Sequence, residues 1–298
     1  MTTARVPGPR ELVSARRALR RLASQGERHD TWFEGARMRW RRWGDGPDLV
    51  LIHGGHGSWM HWARSIDALA SRFCLWLPDM PGFGESDALP GHPHDPDRQQ
   101  RLIGALAAGL TQLPLASPGI GLAGFSFGGL VAAQLATTPD TPVQRLALLG
   151  TAGHGGARRQ SRELLNWRER QGPARWQAHA SNLHNLMLHD GARIDAQALV
   201  AHACSSLATR YRSRAISRDA RLPNLLAPYS GDLLLVWGEH DVTAHPTVIG
   251  QTLLDGRANR RLRIVPDAGH WVQYEQSEPC NAILTDWFAP HTTPPPHP

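Results

Sequence analysis

Residues 124–128 read Gly-Phe-Ser-Phe-Gly, and they constrain the fold more tightly than any other part of the chain. Residues 120–123 before them form a short apolar run typical of a strand buried on both faces, and residues 130–137 after them have the alanine and leucine content of a packed helix. A serine at such a joint is held in a strained backbone conformation, so glycines occupy the neighbouring positions where a Cβ would clash. The G-x-S-x-G pattern therefore predicts that Ser126 is a nucleophile, although a glycine-rich turn with an incidental serine would have the same letters.

Apolar strands and helices alternate along most of the chain, which predicts a parallel sheet covered by helices on both faces. Residues 31–43 instead alternate between apolar and polar side chains around Gly35, as in a hairpin at a sheet edge. The fold class we expect is α/β, with a mostly parallel eight-stranded sheet. Buried strands are predicted over 49–52, 73–77, 120–123, 143–149, 232–237 and 261–265, and helices over 9–26, 62–71, 99–113, 130–137 and 279–288.

The alternation stops between residues 151 and 229, where the sequence is polar, rich in arginine and histidine, and helical in character. We interpret this stretch as a helical cap inserted over the sheet. The predicted organisation is an N-terminal, helical arm at 1–30, an α/β core at 31–150 and 231–289, a cap at 151–230 and a flexible proline-rich tail at 290–298.

The charge and cysteine content exclude several classes of partner. The formal net charge is +6 over 298 residues, and all 32 basic residues are arginines. These arginines cluster in 5–42 and 158–221 without a nucleic-acid recognition motif, so we expect no nucleic-acid partner. No apolar run has the length of a signal peptide core or a membrane span, so we expect no membrane partner. Three well-separated cysteines without a C-x-x-C pair favour a reducing compartment, and hence a cytoplasmic location.

A serine nucleophile needs a base to take its proton, and a histidine base needs a carboxylate to fix its tautomer. Asp241 and His270 follow Ser126 in that order, and each comes just after a predicted strand. The carboxyl ends of parallel strands meet at one edge of the sheet, so we predict that these three side chains form a catalytic triad. Three alternatives remain open: Asp241 caps a helix, Asp267 holds His270 in a turn, or Glu239 is the acid.

An oxyanion that develops during acyl transfer needs two preorganised N–H donors. We expect these donors to be the backbone of Phe127, directly after the serine, and that of Gly55, in a glycine-rich loop after the strand at 49–52. His53 and His56 in the same loop form an H-x-x-H pattern, but no carboxylate of metal-ligand spacing joins them, so we expect no metal. The chain also lacks a phosphate-binding glycine loop after its first strand, and we expect no cofactor.

Over residues 31–289 the chain resembles the α/β-hydrolase fold enzymes. The matching pieces are His53-Gly54-Gly55, Asp79-Met80-Pro81-Gly82-Phe83-Gly84-Glu85-Ser86, Gly124-Phe125-Ser126-Phe127-Gly128-Gly129, Trp237-Gly238-Glu239-His240-Asp241 and Gly269-His270-Trp271-Val272-Gln273-Tyr274-Glu275.

Within that family, the ending around His270 and Trp59 after the oxyanion loop are similar to those of the meta-cleavage product hydrolases, which cut carbon-carbon bonds in vinylogous 1,5-diketones. In those enzymes a tryptophan beside the histidine and an arginine bind the acidic end of the substrate, which implies Trp271 and either Arg212 or Arg214 here. The other substrate contacts we expect are Gly54, His56, Trp59 and Phe125.

The function we expect is a serine hydrolase that cleaves a carboxylic ester or related acyl bond of a small molecule. The subgroup that cuts carbon-carbon bonds usually has Asn before and Met after its serine, whereas this chain has Phe125 and Phe127, so cleavage of a ring-fission diketone stays an alternative. A non-catalytic ligand-binding protein on the same fold is an alternative of another class. A homodimer is left open.

Overall fold

Eight strands form a single sheet in the computed structural model, which describes residues 6–160 and 162–289. Within these residues the spatial order of the strands is β1-β2-β4-β3-β5-β6-β7-β8, where β1 and β2 pair antiparallel, β2 pairs antiparallel with β4, and all other pairs are parallel. The predicted fold class and the edge hairpin are therefore confirmed. The strands are β1 (Glu27–Phe33), β2 (Ala36–Trp43), β3 (Asp48–Ile52), β4 (Cys74–Pro78), β5 (Ile120–Phe125), β6 (Val143–Leu149), β7 (Asp232–Gly238) and β8 (Arg260–Val265).

Helices connect the strands and cover the sheet. The predicted helix over 62–71 is shorter in the structure, and two helices, α9 and α10, have no counterpart in the sequence prediction. The helices are α1 (Pro9–Gln25), α2 (Ile66–Ala70), α3 (Arg98–Gln112), α4 (Phe127–Ala136), α5 (Gly172–Asn182), α6 (Ala196–Ala208), α7 (Arg214–Arg218), α8 (Leu222–Leu226), α9 (Pro246–Leu254), α10 (Val272–Glu275) and α11 (Ser277–Phe288).

The segment between β6 and β7 contributes α5 to α8 and, in its described residues, no strand. A π-helical turn (Leu183–Met187) directly extends α5. The domain boundaries stay a prediction, and the tail at 290–298 and residues 1–5 of the arm lie outside the described residues.

The central strands bury both faces, because their alternate side chains enter two separate apolar clusters. Leu49 and Leu51 of β3 pack in one cluster with α1, α6 and α11, whereas Val50 and Ile52 pack in the other with α3, α4 and α9. This two-sided burial explains why these strands read as continuous apolar runs in the sequence.

Helix α1 joins the edge of the sheet to α6. Its buried residues Ala15 and Leu19 belong to the same apolar cluster as Leu199 of α6, and the two helices pack together. On the sheet side, the Nε1–H of Trp43 donates to the carbonyl of Leu22 (3.2 Å).

Of the helices in residues 6–160 and 162–289, none combines the length and the apolar character that a membrane crossing requires.

The turn from β5 into α4 depends on two glycines. Ser126 lies at φ 54° and ψ −117°, in the strained conformation expected of a nucleophile elbow. A Cβ on Gly128 would lie 2.2 Å from the carbonyl oxygen of His53, and one on Gly124 would lie 2.2 Å from the carbonyl oxygen of Gly128. The helix can therefore approach β3 and β5 this closely only without side chains at both positions.

We expect Gly128→Ala to lower the free energy of unfolding by about 3 kcal/mol, the upper end of the usual cost of overpacking, because its contact is with rigid backbone. The measurement is urea denaturation followed by circular dichroism. Gly104→Ala is the control, since its added Cβ meets only the ring of Phe33 at 3.2 Å and alanine favours the helix. Equal free energies of unfolding in the two variants would show that the close approach of Gly128 to the backbone of His53 does not affect stability.

Candidate active site

Three loops at the carboxyl ends of β5, β7 and β8 bring Ser126, Asp241 and His270 into one hydrogen-bonded chain. The Oγ of Ser126 lies 2.9 Å from Nε2 of His270, and Nδ1 of His270 lies 2.8 Å from Oδ2 of Asp241. Because Asp241 is ionised, a neutral His270 ring carries its hydrogen on Nδ1, and this N–H donates a hydrogen bond to Asp241. Its Nε2 is then an acceptor for the Ser126 hydroxyl.

Asp241 is fully buried, yet the surrounding hydrogen bonds favour its charged form. Burial alone would raise the pKa of Asp241, but the charge and hydrogen bond of His270 and two hydrogen bonds from Thr243 hold the pKa below its ordinary value. The backbone N–H and the hydroxyl of Thr243 both donate to Oδ1 of Asp241 at 2.7 Å. A carboxylate held in this way stays ionised and keeps the imidazole oriented.

Neither of the other two carboxylates that the sequence left open contacts His270. Glu239 is half exposed, and its Oε2 lies 3.4 Å from the backbone N of Asp267 and 3.6 Å from Nε2 of His240. Asp267 lies in the left-handed turn before the histidine, with φ 51°.

Two backbone N–H groups beside Ser126 are free to bind an oxyanion. Those of Gly55 and Phe127 donate no hydrogen bond to any other residue that the structure describes, and Phe127 is the first residue of α4. The two residues are adjacent, because a Cβ on Gly55 would lie 3.6 Å from Cβ of Phe127. By contrast, the N–H of Gly54 donates to Nδ1 of His61 (3.1 Å).

Buried neutral histidines hold the glycine-rich loop in place. Nδ1 of His53 donates to the carbonyl of Gly54 (2.8 Å), and its Nε2 accepts from the N–H of Met80 (3.1 Å). Burial lowers the pKa of His53 to about 4 and the pKa of His61 well below its ordinary value, so both rings are neutral near pH 7. Both nitrogens of His53 are thus used by the backbone.

Of the predicted substrate contacts, three aromatic side chains lie in the core. Phe125 is fully buried against His270 and His61, with ring centroids 5.1 and 5.3 Å away, and a Cβ on Gly54 would meet its ring at 3.0 Å. Trp271 is also fully buried and donates its Nε1–H to the carbonyl of His61 (2.9 Å).

Trp59 is 5 % exposed and donates its backbone N–H to Asp79. The three rings support the loops of the site, and their contact with a substrate stays a prediction.

Substrate contact by Arg212 also stays a prediction, and the structure places this arginine away from Ser126. Arg212 is exposed and lines a separate cavity of about 130 Å³ together with Arg98 and Arg101, and the lining of this cavity does not include Ser126 or His270. Arg214 is the better candidate of the two. Burial is the main cause that lowers the pKa of His56, and the positive charges of Arg168 and Arg214 lower it further. His56 is half-buried and lies directly after Gly55.

Some residues at the site had no clear signal in the sequence. Glu275 accepts from the backbone N–H groups of Gly269, His189 and Asp190, and so it ties the His270 loop to the turn after α5. The sequence contained one indication of its importance, because Glu275 ends the stretch 269–275 that resembles the α/β-hydrolase fold enzymes. Thr243, which stabilises charged Asp241, offered none beyond its position two residues later.

A second cavity, of about 90 Å³, reaches His270 from the side. Its lining joins the loop after β6 to the π-helical turn and includes Arg159, Arg162, His184, His189, His240 and Leu186.

Two imidazoles and a tryptophan pack together inside the helical segment. His202 and His179 meet edge to face, with ring centroids 5.4 Å apart, and His179 stacks on Trp167 at 4.9 Å. His179 is fully buried, and neither of its ring nitrogens has a hydrogen-bond partner in the described chain. Burial, followed by the charges of Arg175 and Arg168, lowers the pKa of His179 to about 4.

Stability should therefore fall as the pH falls from 6.5 to 4, because the unfolded chain takes up a proton on His179 that the folded chain rejects. His179→Phe keeps the stack on Trp167 and should remove about 3 kcal/mol of this pH dependence. The measurement is urea unfolding at several pH values, with His94→Gln at an exposed position as the control. An unchanged pH slope in His179→Phe would contradict the assignment.

The chain is similar to several known hydrolases. A hydrolase from Escherichia coli that acts on 2-hydroxy-6-oxononadienedioate and 2-hydroxy-6-oxononatrienedioate is 26% identical over 269 residues, which cover 85% of this chain and 91% of that protein. Among solved structures, the meta-cleavage product hydrolase CumD from Pseudomonas fluorescens IP01 superposes with a TM-score of 0.70 at 21% identity, covering 87% of this chain and 97% of that one. The esterase RhEst1 from Rhodococcus sp. ECU1013 superposes with a TM-score of 0.70 at 20% identity, covering 88% of this chain and 98% of that one.

The sequence profile of the alpha/beta hydrolase family matches residues 49–283, which is most of the chain. The predictions of the fold family and of a hydrolase are thereby confirmed at this level. The chain belongs to the alpha/beta hydrolase family.

Proposed function

We propose that this hydrolase cleaves a carboxylic ester or related acyl bond of a small molecule through a covalent acyl-enzyme on Ser126. The observation that carries the proposal is the continuous hydrogen-bonded chain from Ser126 through His270 to buried Asp241, beside two free backbone N–H groups. Nucleophile, base, orienting carboxylate and oxyanion donors are the parts that acyl transfer needs.

Each residue has one role in the proposed reaction. His270 takes the proton of Ser126 on Nε2 while Oγ attacks the carbonyl carbon, and the electron pair of the C=O bond moves to its oxygen. The N–H groups of Gly55 and Phe127 bind that oxyanion. The imidazolium, stabilised by Asp241, then gives its proton to the leaving alcohol, and water hydrolyses the acyl-enzyme by the same steps.

We also propose that residues 151–230 form a cap that shapes the substrate pocket. The charge of Arg214 on His56, and the position of Glu275 between the His270 loop and the turn after α5, support this role.

Hydrolysis of a carbon-carbon bond in a ring-fission diketone is the second candidate, and positive charge at the site favours it. Burial is the main cause that lowers the pKa of Arg158, and the positive charges of Arg218 and Arg214 lower it further. The charge of Asp241 acts in the opposite direction. A cluster of this kind suits an acidic substrate, and the E. coli relative acts on a dioate. In such a reaction the bond from the attacked carbonyl to carbon breaks, and the departing carbon, not an oxygen, receives the proton.

Ser126→Ala should lower kcat for short p-nitrophenyl esters by at least about a thousandfold and abolish labelling by a fluorophosphonate, because no other group supplies the nucleophile. The wild-type protein should be labelled at Ser126, and Ser117→Ala, which removes a serine before β5, should behave like the wild type. Unchanged esterase activity in Ser126→Ala would overturn the proposal. Saturable ligand binding without any turnover by the wild type would instead support a non-catalytic binding protein.

A substrate panel separates the two reactions. If the positive charge binds an acidic substrate, Arg214→Gln should raise KM for a 2-hydroxy-6-oxodienedioate about tenfold, the worth of one charge-assisted hydrogen bond, and leave KM for p-nitrophenyl butyrate unchanged. Arg212→Gln is the matched control, because Arg212 lines the other cavity. If the enzyme turned over the ester and not the dienedioate, only ester hydrolysis would remain. If Arg212→Gln raised KM for the dienedioate as much as Arg214→Gln does, the role given to Arg214 would be contradicted.

A further inference from the structure

Ser213 has a hydroxyl that its own helix does not use. It occupies the N-cap position of α7, where its carbonyl accepts from the N–H of Ser217 at 2.9 Å. A serine at this position usually caps the helix with its side chain, but here the side chain makes no capping hydrogen bond. The side-chain oxygen is therefore available for another partner.

That oxygen lies against the oxyanion loop. A Cβ on Gly55 would be 2.5 Å from Oγ of Ser213 and 3.6 Å from both Cβ of Ser213 and Cβ of Phe127. The Ser213 hydroxyl thus occupies the space beside Gly55 that any side chain at that position would fill. Gly55 and Phe127 are the two residues predicted to bind the oxyanion, and neither N–H group donates to another residue in the described part of the chain.

The hydroxyl has no protein partner although its residue is only 3 % exposed. None of the hydrogen bonds within residues 6–160 and 162–289 involves Oγ of Ser213, and Oγ is not among the fully enclosed polar atoms without a partner. It therefore faces accessible space in an otherwise buried position. A hydroxyl in such a place costs about 1 to 3 kcal/mol unless something in that space accepts or donates a hydrogen bond.

We propose that Ser213 is a third donor to the oxyanion, supplied by the segment 151–230 and acting beside the N–H groups of Gly55 and Phe127. The inference rests on the proposed function of Ser126. When Oγ of Ser126 bonds to the carbonyl carbon and the C=O pair moves to oxygen, the Ser213 O–H donates a hydrogen bond to that oxygen and keeps its proton. The only proton transferred in the step goes from Ser126 to His270.

Ser213→Ala tests the proposal by kinetics. We expect kcat to fall between about tenfold and a hundredfold with little change in KM, because the bond is strongest in the transition state. The affinity for a trifluoromethyl ketone, which forms a tetrahedral oxyanion on Ser126, should fall by a similar factor. The thermal midpoint should not fall, since the hydroxyl makes no hydrogen bond within the described chain that its removal would break. Ser213→Thr, which keeps the hydroxyl, should retain most of the activity.

The control is Ser217→Ala, which removes a hydroxyl one turn further along α7. Equal kinetics of Ser213→Ala and Ser217→Ala, or a loss in Ser213→Ala that leaves the affinity for the trifluoromethyl ketone intact, would overturn the role of Ser213. If Ser126→Ala also kept its activity, the proposed function itself would fail, so the two failures are distinguishable.

A steric test checks the geometry independently. Gly55→Ala should be impaired because its Cβ collides with the Ser213 oxygen, and the double variant Gly55→Ala with Ser213→Ala should bind the trifluoromethyl ketone more tightly than Gly55→Ala alone. Additive losses in the double variant would show that the two side chains do not meet.

Discussion

The close approach of α4 to β3 and β5 is the constraint on which the site depends. At this crossing the backbones touch with no room for a Cβ on Gly124 or Gly128, and that contact fixes where α4 begins. Because α4 begins at Phe127, the strained residue before it, Ser126, projects from the sheet, and the first N–H of the helix points to the same side. The positions of the proposed nucleophile and of one proposed oxyanion donor thus depend on the same packing contact.

The buried titratable residues near that contact differ in charge, because one is ionised and two are neutral. Asp241 is buried but hydrogen-bonded from several sides, so it stays ionised, whereas His53 and His61 are buried without an acidic partner and stay neutral. A neutral imidazole can accept a backbone N–H bond and donate another, which an imidazolium cannot. The histidines can therefore hold the glycine-rich loop while adding no charge that would compete with His270.

The sequence could predict which side chains come together at strand ends, but it could not predict burial or contacts between distant segments. Ser126, Asp241 and His270 each come just after a strand of the same parallel sheet, so the topology alone brings them together. Trp271 and Phe125 are neighbours of these residues along the chain, but their rings are buried in the core, which the spacing alone does not show.

Residues from the helical segment could not be placed from the sequence in the same way. Nothing in the spacing shows that Ser213 meets Gly55, because that contact depends on how α7 lies over the loop. Helix α4 was predicted to begin at residue 130 but begins at Phe127, since the glycines that weaken helix propensity are required by the crossing.

Helix α1 links the position of α6 to that of the sheet. It is hydrogen-bonded to Trp43 at the sheet edge and packs on α6 through Ala15 and Leu19. A movement of α6 away from its present position must therefore either separate this apolar contact or carry α1 away from Trp43. Helix α1, which takes no part in the proposed chemistry, is in this way coupled to the position of the helical segment.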